Sequence, residues 1–295
     1  MTGRFGSVIT AMVTPFRSDF SLDLDRAQEL AAHLLDHGSD ALVVFGSTGE
    51  AATLNDDEKR DLLRAVVEAA AGRGKVIAGT GTYDTAHSVH LTRMAQENGA
   101  DAVLLVTPYY NRPPQRGLVA HFTTVAGATS LPVLLYNIPG RTACTIEPQT
   151  LLGLAADVPN VVGVKDATGD LQAASRIVRD APPGFEVVSG DDWATYAMVS
   201  LGATGVISVA AHLAGERMRD MVQLVEAGDA AAGRKIHQEL SPLFAGLFIV
   251  SNPIAVKAAL EMAGQSVGPP RLPLVPATEE ERDRIRQSMI ESGVL

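Results

Sequence analysis

Lys165 closes the apolar run Val161-Val162-Gly163-Val164-Lys165, and of the chain's five lysines it alone is so placed. Lys59, Lys75, Lys235 and Lys257 fall in segments that read as helices or polar turns. A lysine at the end of a buried strand loses hydration, which disfavours the ammonium and supplies the free amine that attacks a carbonyl carbon. The competing reading is an ammonium that snorkels to solvent or pairs with a carboxylate. Tyr136 ends the preceding apolar run, Pro132 to Tyr136. Neighbouring strands lie about 4.8 Å apart, so a phenol and an amine at adjacent strand ends can meet over one substrate and exchange protons with it. A tyrosine that merely packs the rim of a core is the alternative. Gly46-Ser47-Thr48-Gly49 adds two hydroxyls and glycine-freed backbone amides close to a predicted helix start, a combination that binds carboxylates, although a plain glycine-serine turn has the same sequence. These residue types suit amine chemistry on a small polar carbonyl compound.

Other combinations point less far. His33 and His37 stand four apart on a predicted helix, but no third ligand accompanies them, so they read as a helix surface rather than a metal site, as do His87 and His90. His212 is placed to cap the loop after the last strand, and Asp191-Asp192 reads as a helix start rather than a magnesium site. Metal-dependent aldol chemistry is therefore not expected. Gly79-Thr80-Gly81 follows a strand without the third glycine that a dinucleotide fingerprint needs.

Eight apolar runs, rich in Val, Ile and Leu, must position these groups: Val8 to Val13, Ala41 to Phe45, Val76 to Thr80, Ala102 to Val106, Pro132 to Tyr136, Val161 to Lys165, Glu186 to Ser189 and Gly205 to Val209. Runs this apolar read as strands buried on both faces, hence parallel. Helical segments alternate with them. Asn55 and Glu58 form a capping-box pattern ahead of Asp56 to Ala71, Thr85 is a candidate cap for His87 to Asn98 with Gly99 as its stop, and Pro148 opens another helix. Eight alternations fit a (β/α)8 TIM barrel, a fold of typically about 250 residues whose catalytic groups sit at the C-terminal ends of the strands; the competitor, a doubly wound open sheet, lacks its nucleotide fingerprint. The alternation stops near residue 228. Ala230 to Phe248, Pro253 to Met262 and Thr278 to Ser292 read as three appended helices, so a barrel over 1–228 and a C-terminal helical region over 229–295 are expected to pack as one unit.

A net charge of -10 argues against a nucleic-acid partner, which demands a cationic surface. One cysteine, Cys144, forms no intramolecular disulfide, and the N-terminal MTGRFGSVITAMVTPF lacks the apolar core of a signal peptide, so a cytoplasmic location is expected. No stretch approaches the roughly 18 apolar residues of a membrane span.

The motifs GSTGE (46–50), TPYYNRP (107–113), YNIPGRT (136–142), GVKDATGD (163–170) and GVISV (205–209), with ITAMVTPF near the start and SNPIAVKAAL and PRLP near the end, give the chain a resemblance over essentially its whole length. It resembles the pyruvate-dependent class I aldolase superfamily, which contains a dihydrodipicolinate synthase branch and an N-acetylneuraminate lyase branch. The resemblance implies the same barrel and three-helix tail, a Schiff base between Lys165 and pyruvate with no other cofactor, and proton transfer by Tyr136. It implies that Ser47 and Thr48 hold the pyruvate carboxylate, that backbone groups of Gly190 and Ile207 line the site, and that Tyr110 crosses a tight dimer interface to complete the neighbour's proton relay. The expected assembly is a homotetramer, a dimer of such dimers.

Arg141 carries the branch choice. The synthase branch has an arginine there for the carboxylate of L-aspartate-4-semialdehyde, a task suited to a guanidinium fork, where the lyase branch has an apolar residue. Ser47 leans the other way, since the synthase branch has threonine. Condensation of pyruvate with L-aspartate-4-semialdehyde in lysine biosynthesis is the resulting expectation, with a 2-keto-3-deoxy sugar acid or sialic acid lyase, aldolase or dehydratase as the alternative and a silent binding paralogue as a third reading. The resemblance also marks Tyr109 as retained from a lysine effector pocket, while Lys59 replaces a histidine and sets its ammonium against the effector's, and Tyr83 and His87 replace an amide and a carboxylate that bind the effector's amines, so inhibition by L-lysine is expected to be weak or absent.

Overall fold

The eight aliphatic runs pair side by side because both their faces are apolar and neither can be left in water. A computed structural model describes residues 3–295, with strands β1 Val8–Ala11, β2 Ala41–Val44, β3 Lys75–Gly79, β4 Ala102–Val106, β5 Val133–Asn137, β6 Val161–Asp166, β7 Glu186–Ser189 and β8 Gly205–Ser208. All pairs are parallel, neighbours follow chain order, and β8 returns to β1 through Ile9 opposite Ile207, so the sheet closes into the expected (β/α)8 TIM barrel. Ile9, Val43, Ile77, Leu104, Leu134 and Ile207 fill the interior. Val8, Leu42, Val76, Val103, Leu135 and Val206 face the other way, into the layer shared with the helices.

That helical layer comprises α1 Leu24–Asp36, α2 Asp56–Ala70, α3 Thr85–Glu97, α4 Gln115–Ala126, the short α5 Pro139–Thr142, α6 Pro148–Asp157, α7 Leu171–Asp180, α8 Thr195–Ser200 and α9 Ala211–Glu226. The capping box of α2 forms in full, with the Glu58 amide donating to Asn55 at 2.9 Å and the Asn55 amide to Glu58 at 3.0 Å. For α3 the cap is Asp84, not Thr85: the carboxylate accepts from the Ala86 amide, and Thr85 becomes the first helical residue. Two good capping residues stand side by side there, and the charged acceptor also suits the positive end of the helix. Three further helices follow, α10 Ala230–Gly246, α11 Ile254–Met262 and α12 Glu279–Glu291; α10 packs along α9, and α12 against α10 and α11.

One irregularity matters for the chemistry. The register between β5 and β6 pairs Val133 with Val161 but Leu134 with Gly163, so β6 carries an extra residue at this step. Side chains alternate along a strand, and Val162 and Lys165 would lie on opposite faces of a regular one. Val162 packs on the interior cluster, and with the bulge Lys165 does so too, beside Tyr136, while Val161 and Val164 pack outside. Gly163 is required at the bulge because a Cβ there would stand 2.6 Å from the Glu186 carbonyl oxygen and 2.8 Å from Leu134 Cδ2. Gly163→Ala is expected to destabilise the fold by about 1–3 kcal/mol, the usual scale of overpacking; a urea midpoint equal to that of the wild type would show that β6 holds its register without the glycine.

Candidate active site

Tyr136 and Lys165 are register partners on β5 and β6, each about 5% exposed, and the Lys165 ammonium lies 4.2 Å from the centroid of the Tyr136 ring. Thr107 fixes the end of β5, its amide and hydroxyl both donating to the Tyr136 carbonyl at 2.9 Å. On its other side the lysine stem lies against Gly190, where a Cβ would stand 3.1 Å from both Lys165 Cγ and Cε. Gly190 thus serves by having no side chain.

Burial alone does not single out Lys165, contrary to the distinction drawn from strand position. Lys59 and Lys257 are buried as well, at 6% and 4% exposure. Each has a carboxylate, however: Lys59 lies 3.7 Å from Asp56, and Lys257 lies 2.6 Å from Glu50 Oε1. Among the described residues no carboxylate comes within ion-pair range of Lys165, so its only electrostatic partner is the tyrosine ring. A buried amine without a counter-ion is the arrangement that nucleophilic catalysis needs.

The loop after β2 is held from three sides. Its ends adopt left-handed conformations at Phe45 (φ 38°) and Glu50 (φ 54°), each of which costs a non-glycine residue free energy and persists only where the surroundings enforce it. Thr14 donates to the Gly49 carbonyl at 2.6 Å. Glu50 supplies the strongest anchor: Oε2 accepts from the Arg271 amide at 2.8 Å, and Oε1 faces the Lys257 ammonium in a charge contact rather than a well-directed hydrogen bond. Phe16 stacks beneath both cations, 4.5 Å from Lys257 and 4.2 Å from Arg271. Burial pulls the pKa of Lys257 down and Glu50 opposes this. The loop continues into the single 3-10 turn Ala51–Thr53, not directly into an α-helix, so any carboxylate binding there falls to the hydroxyls and amides of the loop itself.

After β5, Asn137 clamps its own loop, donating to the Ile146 carbonyl and accepting from the Ile146 amide, both at 3.0 Å. This holds α5, and with it Arg141, over the mouth. Arg141 is largely exposed, and its Nη2 donates to the main-chain carbonyl of Asn252 at 3.1 Å. Asn252 in turn donates from Nδ2 to Thr48 Oγ1 at 2.8 Å. A cavity of about 180 Å³ is lined by Ser47, Tyr136, Ile138 and Arg141 together with Tyr109 and Thr142. Ile207 lies within β8 at the level of the interior cluster, with its side chain in the core. Tyr110, by contrast, is 93% exposed at φ 70° and turns away from the chain's own cavity.

The aspartate pair after β7 behaves differently from a helix start. Asp192 is buried and accepts from Ser208 Oγ at 2.5 Å and from the amides of Val209 at 3.1 Å and Ala210 at 2.8 Å, joining the loops of β7 and β8; the helix opens three residues later at Thr195. The three donors at the end of β8 outcompete the helix amides for this carboxylate. His212 makes a similar seam. Its Nε2 accepts from the Val13 amide at 3.2 Å, so Nδ1 carries the proton and donates to Val209 at 2.8 Å, tying β8 back to β1. The histidines on the outer helices form no metal cluster: among the described residues, no three His, Cys, Asp or Glu side chains are arranged to hold an ion.

The profile of the dihydrodipicolinate synthetase family matches residues 4–291. The chain belongs to this family. Two relatives named 4-hydroxy-tetrahydrodipicolinate synthase, from Desulforamulus reducens and Moorella thermoacetica, are each 52% identical to it, over 97% and 99% of this chain and 96% and 100% of their own. A crystal structure of the synthase from Cyanidioschyzon merolae with lysine bound superposes with a TM-score of 0.98 at 44% identity, covering all of both chains. In this member of the dihydrodipicolinate synthetase family, the strand-end rule reaches Glu50 and Asn137 without their anchoring role, and it does not reach Lys257 and Asn252. All four lie inside the motifs GSTGE, YNIPGRT and SNPIAVKAAL; Asn137 finds its partner Ile146 nine residues on, whereas Glu50 with Lys257 and Asn252 with Thr48 are paired across the barrel.

Burial holds the His212 pKa at about 4, against the usual 6.5. Between those values the unfolded chain binds a proton that the folded chain refuses, so the stability carried by neutral His212 is complete above about pH 6.5 and is lost as the pH falls towards 4. The loss is on the order of 3 kcal/mol at about 1.4 kcal/mol per unit. Urea unfolding at pH 7, 5.5 and 4 should show this slope, and His212→Gln should flatten it; equal slopes for the two proteins would assign acid sensitivity elsewhere.

Proposed function

We propose that the chain is a 4-hydroxy-tetrahydrodipicolinate synthase, a lyase that condenses pyruvate with L-aspartate-4-semialdehyde on the route to diaminopimelate and lysine, through a Schiff base on Lys165. The observation that carries this reading is the buried, carboxylate-free Lys165 beside Tyr136, in a chain whose other two buried lysines each have a carboxylate within ion-pair range. The names of relatives that align over the whole chain support the choice of substrates.

In this mechanism the Lys165 amine attacks the ketone carbon of pyruvate, and the Tyr136 hydroxyl delivers the proton with which the carbinolamine oxygen leaves as water. Loss of a methyl proton gives an enamine, whose carbon adds to the aldehyde of the second substrate. The amino group of that substrate then displaces Lys165 from the imine carbon, closing the six-membered ring and freeing the enzyme; one water is released in all. Ser47 and Thr48 hold the pyruvate carboxylate, backbone groups of Gly190 and Ile207 line the site, and Arg141 receives the carboxylate of the semialdehyde. No cofactor is required, since the lysine itself is the electron sink. The exposure of Tyr110 supports a tight dimer in which its hydroxyl joins the relay of a second copy, within a homotetramer built as a dimer of such dimers. Among the described residues no helix is long and apolar enough to cross a membrane; the proposed place of action, as for a biosynthetic enzyme, is the cytoplasm.

Borohydride reduction in the presence of pyruvate should add one pyruvate-derived mass per chain on the peptide that contains Lys165, and Lys165→Ala should abolish it. An adduct on any other lysine would overturn the mechanism. In the coupled assay Tyr136→Phe should slow turnover by about 10²-fold or more. Arg141→Ala should weaken use of the semialdehyde by about 2–4 kcal/mol in transition-state terms while sparing the adduct.

A second cavity, about 660 Å³, is lined by Lys59, Tyr83, His87 and Tyr109 with Asp56. Of the two acids that line it, Asp56 is already engaged by His87 at 3.0 Å and lies 3.7 Å from the Lys59 ammonium, and Asp57 pairs with Arg60 at 2.6 Å. An effector with two amines meets a cation here and carboxylates already engaged, which supports weak or absent inhibition by L-lysine. A titration at about pH 8 that reached half-inhibition below about 1 mM would refute this.

A further inference from the structure

Asn252 stands between the two groups assigned to the two substrate carboxylates. It precedes α11, is 6% exposed, and reaches the barrel mouth from the C-terminal part of the chain. Its side-chain Nδ2 donates to Thr48 Oγ1 at 2.8 Å, its main-chain carbonyl accepts from Arg141 Nη2 at 3.1 Å, and its Oδ1 is buried without a protein partner among the described residues. We propose that Asn252 is a positioning residue for both substrates: its amide presets the Thr48 hydroxyl as a donor towards the pyruvate carboxylate, and its carbonyl steadies the Arg141 guanidinium that receives the second carboxylate.

The argument is one of hydrogen-bond inventory. A threonine hydroxyl has one proton and two lone pairs. With one lone pair occupied by an amide N–H, the proton has to point elsewhere, and among the described residues no protein acceptor takes it. A carboxylate only accepts, so the preset proton matches it without any reorientation on binding. Thr48 is itself buried, at 3% exposure, which leaves the hydroxyl few alternatives. At Arg141 the contact consumes one of five guanidinium N–H groups and limits the swing of a long, mostly exposed side chain, leaving the rest of the fork for a bidentate carboxylate. Since Thr48 follows β2 and Arg141 follows β5, one residue from the appended region fixes the spacing between two loops on different sides of the mouth.

This inference rests on the proposed pyruvate chemistry, and its test separates the two. Asn252→Ala frees the Thr48 hydroxyl to rotate and should raise the KM for pyruvate about tenfold, with a smaller change in kcat. Asn252→Asp is closer in shape, yet it accepts the Thr48 proton and adds a negative charge beside both carboxylates, so KM should rise about 100-fold and borohydride trapping should slow in step. A purely structural asparagine predicts the opposite order, with aspartate the milder change. A wild type that forms the pyruvate adduct, with aspartate worse than alanine, supports the proposal; the reverse order, or wild-type KM in both variants, overturns it while leaving the Schiff-base reading intact. A wild type that forms no adduct overturns the Schiff-base reading and this inference together. Should Asn252→Asp fail to fold, Thr48→Val decides: added to Asn252→Ala it should raise KM no further than Thr48→Val alone, and full additivity would remove the proposed coupling.

Discussion

Lys165 is brought to Tyr136 by the count of residues in β6. Parallel pairing with β5 sets the two side chains opposite one another, but parity along the strand decides whether the lysine enters the barrel or the helical layer, and the bulge at Gly163 makes that decision. A slip of one residue would send the ammonium among Val161 and Val164, where burial without water or a partner is untenable. Everything else in the site presupposes this register: the ring contact, the packing of the lysine stem on Gly190, and the short donors that Thr107 directs at the Tyr136 carbonyl.

The second requirement is a rigid rim. Loops normally move more than the strands they follow, yet here the loops bearing Ser47, Thr48 and Arg141 are tied down by buried polar contacts. The Glu50–Lys257 pair is the costliest of these, because both charges leave water, and such a pair contributes little net stability compared with an apolar substitute. Its value is directional. An apolar plug would fill the same space without fixing where Glu50 lies, and Glu50 ends a loop already strained at Phe45. Through Lys257, Arg271 and Asn252 the C-terminal region acts on the chemistry as a brace for the β2 loop.

Strand positions were legible because aliphatic runs have a strong local signal, and the strand-end rule then selected Tyr136 and Lys165 from sequence alone. The capping box at Asn55 was legible for the same reason, since both partners lie within one turn. What escaped was of two kinds. Neighbouring candidates with equal local merit, Asp84 and Thr85, are separated only by geometry. Long-range partners, such as Glu50 with Lys257 or Asp192 with the end of β8, depend on the closed barrel, and nothing in the spacing of these residues encodes them. The lysine census shows the limit best. Lys257 sits in a segment that reads as an ordinary helix, yet it is buried as deeply as Lys165. The difference between them is the presence of a carboxylate, a property of the fold rather than of either residue.

The same contrast explains how a chain of net charge -10 can receive the two substrate carboxylates of the proposed reaction. At physiological ionic strength charges are screened over about 8 Å, so a substrate at the mouth responds to the nearest groups and not to the total. Arg141 stands there exposed, and Lys165 is buried near the end of β6. Two acids at the strand ends are muted. Asp166, next to the lysine, and Asp192, between the loops of β7 and β8, are both buried, and burial pushes both carboxyl groups above their usual range. Asp192 directs its oxygens at backbone amides and Ser208, which disperses what charge it carries away from the cavity. Glu50 is neutralised by Lys257. The cations of the mouth therefore stay effective against the net charge because Asp166 and Asp192 are disfavoured as anions and Glu50 is paired.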